Sequence, residues 1–264
     1  MKIYVMVDIE GISGVYCREQ VVPSESRFAE GRRFLTEDIN ACVAGLRDAG
    51  VDYIVVHDCH GGSYSLNWRD VSPEADGYIC GAIGDRRFVD LQEFDGIILL
   101  GYHAMAGTPE AVLEHTYSSK SVQNMYLNGN KVGEFAVDAA IAGEYGVPVI
   151  MVSGDDKICA EAEQLLPGVV TAEVKKGLSC FGAQLLPPEK AHKLIHDKAM
   201  EAVQKLPALK PYKIAAPVEC RMEMVERNCL PKTLAKPYVR VVDGHTFELT
   251  ADSVEQALAY AFWF

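Results

Sequence analysis

Two carboxylates at the end of the first apolar run are the residues best suited to chemistry. Residues 3–7 are apolar and rich in β-branched and aromatic side chains, and Asp8, Ile9 and Glu10 follow them directly. Side chains alternate along an extended chain, so Asp8 and Glu10 share one face. Two carboxylates on one face repel each other, and a bound cation relieves that repulsion. Taken alone, the pair fits a solvated Asp-x-Glu that opens a loop, and a metal site is the alternative that the later residues favour.

Imidazoles and a third carboxylate follow later segments of the chain. His57 and His60 come after the second apolar run, and His103 comes after the third. Glu134 opens a helical stretch that follows an Asn-Gly hairpin signal. Because the carboxyl ends of parallel strands share one edge of a sheet, this order gathers three carboxylates and at least two imidazoles into one crevice.

The donor atoms of this set are carboxylate oxygens and imidazole nitrogens without a thiolate. Such donors suit zinc or a similar first-row divalent ion. One catalytic zinc ion usually takes about three protein ligands, so five ligands exceed the need of a single ion. Five ligands that include one bridging carboxylate fit two ions roughly 3.5–4 Å apart. The sequence therefore predicts a metal site, and its five ligands fit two ions of zinc or a similar divalent metal.

Two members of the set have plausible structural roles instead. His57 still belongs to the second strand, so a structural role suits it better than it suits His60. Glu134 is also explained as an acid in the first turn of a helix, where the helix dipole favours negative charge.

The elements that must position these groups alternate between strands and helices. Apolar runs typical of buried parallel strands, and stretches with helical periodicity, occur in turn from residue 3 to residue 166. This alternation predicts an α/β fold, a mostly parallel sheet with helices on both faces. Beyond it, a helix, a strand, a hairpin and a last helix predict a smaller C-terminal α+β unit. We expect two domains, a metal-binding catalytic domain at 1–185 and a C-terminal domain at 186–264.

The composition of the chain argues against nucleic acids and membranes as partners. The 264 residues carry a formal net charge of −12 and contain no Lys/Arg-rich block, so we expect no nucleic-acid partner. We also expect no membrane partner, because no basic amphipathic segment and no spanning apolar run occurs. The eight cysteines are scattered without Cys-x-x-Cys, and the first residues lack a signal-peptide pattern, so we expect a cytoplasmic protein. The glycine spacing after Glu10 does not fit a dinucleotide fingerprint, so no nucleotide cofactor is expected.

Five short motifs occur in order along the chain. They are Asp8-Ile-Glu10-Gly-Ile-Ser-Gly14, His57-Asp-Cys-His60, Gly101-Tyr-His103-Ala104, Gly133-Glu134 and Ser153-Gly-Asp-Asp156. As an ordered set they resemble the zinc D-aminopeptidase family associated with bacterial dipeptide-transport operons, and the similarity extends over the whole chain. The resemblance implies a binuclear zinc aminopeptidase with two zinc ions per chain.

The resemblance also implies roles for individual residues. Asp8 would bridge the two ions, Glu10 and His60 would complete one site, and His103 and Glu134 would complete the other. It further implies a preference for small D-residues at the N-terminus of short peptides. The family's ring-shaped homo-oligomers, described as decamers, imply self-association here.

His115 receives its role from the resemblance alone, because as an isolated loop histidine it would be interpreted as structural. It matches the family's proposed catalytic histidine, which implies proton transfer or stabilisation of the tetrahedral oxyanion, with direct attack on the substrate as the alternative. Two alternatives remain open. One is a metal-dependent amidohydrolase that acts on a non-peptide amide or a cell-wall fragment. The other is a non-enzymatic, metal-binding assembly protein.

Overall fold

The computed structural model describes residues 1–84, 86–227, 229–231 and 236–262. No helix within these ranges has the length and apolarity that crossing a membrane requires. The strands and helices, in chain order, are β1 (Lys2–Val7), α1 (Phe28–Asp48), β2 (Tyr53–Asp58), β3 (Gly77–Ile79), β4 (Gly96–Leu100), β5 (Val122–Leu127), β6 (Asn130–Val132), α2 (Glu134–Glu144), β7 (Val149–Asp155), α3 (Asp156–Leu165), β8 (Val170–Ser179), β9 (Gly182–Leu185), α4 (Pro188–Lys205), β10 (Val218–Met224), β11 (Val239–Val241), β12 (Thr246–Ala251) and α5 (Val254–Phe262).

A seven-stranded sheet in the order β3-β2-β1-β4-β7-β8-β9 forms the centre of the fold. Its neighbouring strands are parallel except for β9, which runs antiparallel to β8. Alternate residues of β1 face opposite layers. Ile3 and Val5 pack in a layer with α1 and α4, whereas Tyr4 and Met6 pack in a layer with α2, α3 and the second sheet. The prediction of a mostly parallel sheet covered on both faces is confirmed.

A second sheet is antiparallel and has the order β11-β12-β10-β5-β6. The β5–β6 hairpin turns at Asn128 and Gly129, whose φ angles of 46° and 79° lie in the left-handed region that Asn-Gly turns favour. This sheet takes strands from both sides of residue 185, because β10 pairs with β5 and β12. The domain boundary between residues 185 and 186 stays a prediction.

The strands β8 and β9 extend the parallel sheet beyond the four strands that the apolar runs predict. Along β8, buried and exposed residues alternate over much of its length, because this strand lies near the sheet edge. Its sequence therefore includes lysines and lacks the continuous apolar run typical of a central strand. Helix α4 packs against α1, and a Cβ at Gly45 would lie 2.3 Å from the carbonyl oxygen of His196.

Candidate metal centre

The carboxyl ends of three adjacent strands position the candidate site. β1 lies between β2 and β4, and Val7 pairs with Asp58 on one side and Leu100 on the other. Asp8 follows directly at the end of the middle strand, and the segments with His60 and His103 leave its two neighbours. This topology explains why residues so distant in sequence meet at one edge.

Glycines let the loops after β1 and β4 come into direct backbone contact. Gly11 N donates a hydrogen bond to Gly101 O at 2.7 Å. A Cβ at Gly11 would lie 1.9 Å from Tyr102 O, and one at Gly101 would lie 2.4 Å from Asp8 O. Gly101 also has φ of 72°, which a larger side chain rarely adopts. These two glycines therefore allow the loops that carry the acidic and imidazole groups to meet.

One half of the site consists of Asp8, Glu10 and His60. His60 Nδ1 lies 3.2 Å from Asp8 Oδ1 and 3.1 Å from Glu10 Oε2. His60 Nε2 lies 2.9 Å from Val21 O. Since a carbonyl oxygen only accepts, Nε2 carries the hydrogen and donates it there. Nδ1 is thereby directed at two carboxylates, an arrangement that requires either a proton or a metal ion between them.

The other half consists of Asp8, His103 and Glu134. His103 Nε2 lies 3.4 Å from Asp8 Oδ2 and 3.3 Å from Glu134 Oε1. His103 Nδ1 lies 3.1 Å from Ala104 O and donates its hydrogen to that oxygen. Glu10 Oε2 and His103 Nε2 are buried and have no hydrogen-bond partner among the described residues. Each half thus contains one buried atom, Glu10 Oε2 or His103 Nε2, that is suited to bind a metal ion near Asp8. Asp8 presents one carboxylate oxygen to each half.

Burial and neighbouring charges shift the pKa values of the histidines and glutamates of the site in opposite directions. Burial opposes the charged imidazoles, but the carboxylates outweigh it, raising the pKa of His60 well above its ordinary value and that of His103 to about 10. Burial likewise favours neutral carboxylic acids, yet the imidazoles hold the pKa values of Glu10 and Glu134 below their usual range. Glu10 and Glu134 therefore remain charged and available as oxygen ligands, and a divalent ion competes with protons for the imidazole nitrogens.

His115 lies beside this cluster, on a different loop. Its Nδ1 donates a hydrogen bond to Leu113 O at 2.8 Å, so Nε2 carries no hydrogen in the neutral ring. His115 Nε2 lies 3.6 Å from Glu134 Oε1, and the ring stacks on His103 with centroids 4.0 Å apart. Together with Glu10 and His60, His115 lines a cavity of about 200 Å³. His115, His103 and Glu134 also form a group compact enough to hold an ion.

The loop that carries His115 is held in a strained conformation. Leu113 and Tyr117 are non-glycine residues with φ of 53° and 59°, in the left-handed region. Leu113 N donates to Cys180 O at 2.9 Å, and Tyr117 N donates to Glu134 Oε1 at 2.7 Å. Such strain persists only where surrounding contacts enforce it, and it is concentrated at functional sites. The loop is therefore fixed to the same carboxylate that faces His103.

His57 has the structural role that the sequence favours for it. Its Nδ1 lies 2.7 Å from the Tyr4 hydroxyl, and burial lowers its pKa to about 4. Its neighbour Asp58 supports the site indirectly, because this carboxylate accepts a hydrogen bond from His60 N at 3.1 Å and another from Ser65 N. The structure brings together Asp8, Glu10, His60, His103, Glu134 and His115, and it leaves His57 outside the cluster.

Two buried charged residues near the site are not predicted from the sequence. Lys175 on β8 and Asp38 on α1 are buried, and both contact the turn that follows β1. The sequence signal for Lys175 is weak, because a lysine in an alternating strand is ordinarily assigned to the exposed face. Asp38 lies within an amphipathic helix, where an acid is likewise ordinarily assigned to the solvent side.

Comparisons with known proteins agree in pointing to one family. The D-aminopeptidase family profile matches residues 1–262. The D-aminopeptidase of Bacillus subtilis (strain 168) is 38% identical over 213 residues, which cover 80% of this chain and 77% of that protein. The structure is also similar to that of the zinc-dependent D-aminopeptidase DppA from Bacillus subtilis, called a self-compartmentalizing protease. That similarity has a TM-score of 0.92 with 33% identity, and it covers 98% of this chain and 94% of the other.

Proposed function

The chain belongs to the D-aminopeptidase family of peptidases, and from this membership we propose that it uses two zinc ions to remove N-terminal D-residues from short peptides. The observation that carries the proposal is the position of Asp8. One of its oxygens faces His60 and the other faces His103, so a single carboxylate serves both halves of the site. The similarity to a zinc-dependent D-aminopeptidase supports zinc as the metal.

The positions of the five proposed ligands assign each of them to one ion or to both. Glu10 and His60 would hold one ion, His103 and Glu134 the other, and Asp8 would bridge them. When bound, the ions would lower the pKa of a water molecule to about 7 and polarise the scissile carbonyl. The orphaned atoms of Glu10 and His103 fit this role, because coordination would satisfy both.

His115 would handle the proton in this reaction. Its Nε2 is unprotonated in the neutral ring, because Nδ1 donates to the Leu113 carbonyl, so Nε2 is the atom that can accept a proton. The protonated ring would then return that proton to the leaving amine or stabilise the oxyanion. Its place in the wall of the cavity beside Glu10 and His60 supports this role, since a substrate in that cavity would lie against His115.

Cavity sizes support a short substrate. The cavity at His115 has a volume of about 200 Å³, and a second cavity of about 350 Å³ opens beside Glu134 and Tyr117. Pockets for drug-sized ligands span roughly 300–1,000 Å³, so the cavity at His115 is smaller than this range and the second cavity lies near its lower end. A peptide with one or two residues on each side of the scissile bond would fit such a site better than a folded chain.

We expect D-alanyl peptides to be cleaved at least about 10-fold more efficiently than their L-alanyl counterparts. Exchanging the side chain and hydrogen at Cα redirects the side chain while the amine and carbonyl stay held, and a misplaced methyl-sized group costs about 1–3 kcal/mol. The measurement compares kcat/KM for D-Ala and L-Ala peptides of equal length, from two to five residues, with zinc present.

The other outcomes of that comparison favour specific alternatives. Preference for the L-peptide would retain the peptidase and remove the D-specificity. Turnover of non-peptide amides or cell-wall fragments without turnover of any peptide would favour an amidohydrolase. Tight zinc binding without hydrolysis of any substrate would favour an assembly protein.

We propose that the chain assembles into a ring-shaped homo-oligomer, a decamer, in the cytoplasm. The self-compartmentalizing relative supports an assembly. The antiparallel sheet and its flanks expose Val225, Val241 and Val242, which supports a contribution from the C-terminal part of the chain. All eight cysteines are free thiols, which suits a reducing compartment.

Light scattering of the purified protein should give a mass of about 290 kDa, the mass of ten chains of 28.9 kDa. Val241→Glu places a charge on the exposed apolar surface and should shift the protein to smaller species, because burying an unpaired charge in an interface is costly. Trp68→Glu, at an exposed position on the connection between β2 and β3, is the control and should leave the mass unchanged. A monomer at micromolar concentration for the wild-type chain would rule out the ring.

A further inference from the structure

The turn that carries Glu10 is buried although it has no regular secondary structure. Ile12 and Val15 are fully buried, and the segment from Ile9 to Val15 belongs to neither strand nor helix. Buried backbone carbonyls without ladder partners require other hydrogen-bond donors. The polar contacts of this turn therefore determine where the Glu10 carboxylate is placed.

A buried lysine from another strand supplies those donors. Lys175 Nζ donates hydrogen bonds to Glu10 O at 2.6 Å, Ile12 O at 2.9 Å and Val15 O at 2.6 Å. An ammonium group has three N–H donors and no acceptor, so all of its donors are used here. Lys175 is only 2% exposed. The neighbouring Lys176 points to solvent, so the two lysines are distinguished by the pleat of β8.

A buried carboxylate from helix α1 holds the same turn. Asp38 on α1 accepts hydrogen bonds from Ser13 N at 2.8 Å and from Ser13 Oγ at 2.6 Å. Asp38 is fully buried, and His192 Nε2 from α4 lies 3.5 Å from its Oδ1. A cation thus binds the carbonyl oxygens of the turn, and an anion binds its N–H and hydroxyl groups.

We propose that Lys175 is a positioning residue that, with Asp38 as its counterpart, places the Glu10 carboxylate for metal binding. The proposal rests on the ligand set given under Proposed function. Lys175 fixes the carbonyl of Glu10 itself, and the side chain of that residue reaches to 3.1 Å from His60 Nδ1. Lys175 makes no such hydrogen bond to His103 or Glu134 among the described residues, which lie on other segments. Its influence on the two halves of the site is therefore unequal.

The test is the stepwise affinity for zinc, measured by calorimetric titration of the metal-free protein. Lys175→Met should weaken the affinity of the Glu10 subsite about 10- to 100-fold, the cost typical of removing a group that orients a metal ligand. The affinity of the Glu134 subsite should stay at the wild-type value. Glu10→Gln and Glu134→Gln identify which step belongs to which subsite, and Lys176→Met is the matched control, expected to keep both affinities.

Ser13→Ala keeps the test decisive if Lys175→Met does not fold. This variant removes one hydrogen bond to Asp38 from the same turn and should weaken the Glu10 subsite in the same direction by a smaller factor. Wild-type affinities at both subsites in the variants that fold, or equal weakening at both, would overturn the positioning role. A wild-type chain that binds no second ion, or a Glu10→Gln variant that keeps both ions, would instead overturn the proposed ligand set.

Discussion

Asp8→Ala should bind neither zinc ion tightly and should lose activity by more than about 10⁴-fold. The two oxygens of Asp8 face His60 at 3.2 Å and His103 at 3.4 Å, so this one substitution removes a ligand from each half of the site. Water that is not bound to a metal ion ionises far too weakly to supply hydroxide at neutral pH. Elemental analysis after gel filtration measures bound zinc, and kcat/KM on a D-alanyl peptide measures activity.

The comparison variants make this prediction specific to a bridging position. Glu10→Gln and Glu134→Gln each remove a carboxylate from only one half of the site, so each should retain one tightly bound ion. Chelation should abolish wild-type activity, and added zinc should restore it, whereas added zinc should not restore Asp8→Ala. Two tightly bound ions in Asp8→Ala would exclude the bridging assignment.

The central strands could be predicted because both of their faces are covered. Helices or the second sheet cover both faces of the central sheet at β1 and β4, so nearly every residue of these strands is buried and apolar. In the sequence, such strands are continuous apolar runs. The polar residues that end such runs then mark the site, because ligands bind where parallel strands end. Spacing and strand order therefore predict Asp8 and His103 as candidate ligands, and they favour His60 over His57.

The second sheet could not be predicted as a unit because its partners are far apart in sequence. The hairpin of β5 and β6 is recognisable from Asn128-Gly129, but nothing local indicates that β5 pairs with β10, some ninety residues later. Pairing across that distance is decided by which apolar faces remain uncovered after the helices pack. The same reason explains why the strands on each side of residue 185 share one sheet.

Sequence patterns do not predict His115, which lies on a loop, or Lys175, which donates its hydrogen bonds to backbone atoms of the turn. His115 lies on a loop whose path depends on positive φ angles at Leu113 and Tyr117, and neither residue type signals such a conformation. Lys175 contacts the turn after β1 because β8 lies in the same sheet. Its three partners are backbone carbonyls, which every residue type has, so the sequence of the turn does not indicate a buried lysine. Only the resemblance to a known family identified His115, and only the structure identified Lys175.

His115→Ala should keep both zinc ions and the fold but lower kcat about 10²- to 10⁴-fold, the range typical of removing a general acid or base. In the structure, His115 contacts the cluster at its margin. Its Nε2 lies 3.6 Å from Glu134 Oε1, whereas Asp8, His103 and Glu10 already surround the space between the two halves. Its loss should therefore remove the group that moves the proton and leave the proposed ligands in place.

The measurement pairs zinc content with kcat, and His60→Ala is the reference for a variant that loses a ligand. His115→Gln is the second variant, because its side chain keeps a polar group near the site but titrates no proton, so it should be as slow as His115→Ala. His115, His103 and Glu134 are close enough together to hold an ion, which makes coordination the competing role. If His115→Ala loses zinc as completely as His60→Ala, His115 is a ligand, and the proton must be transferred by another group.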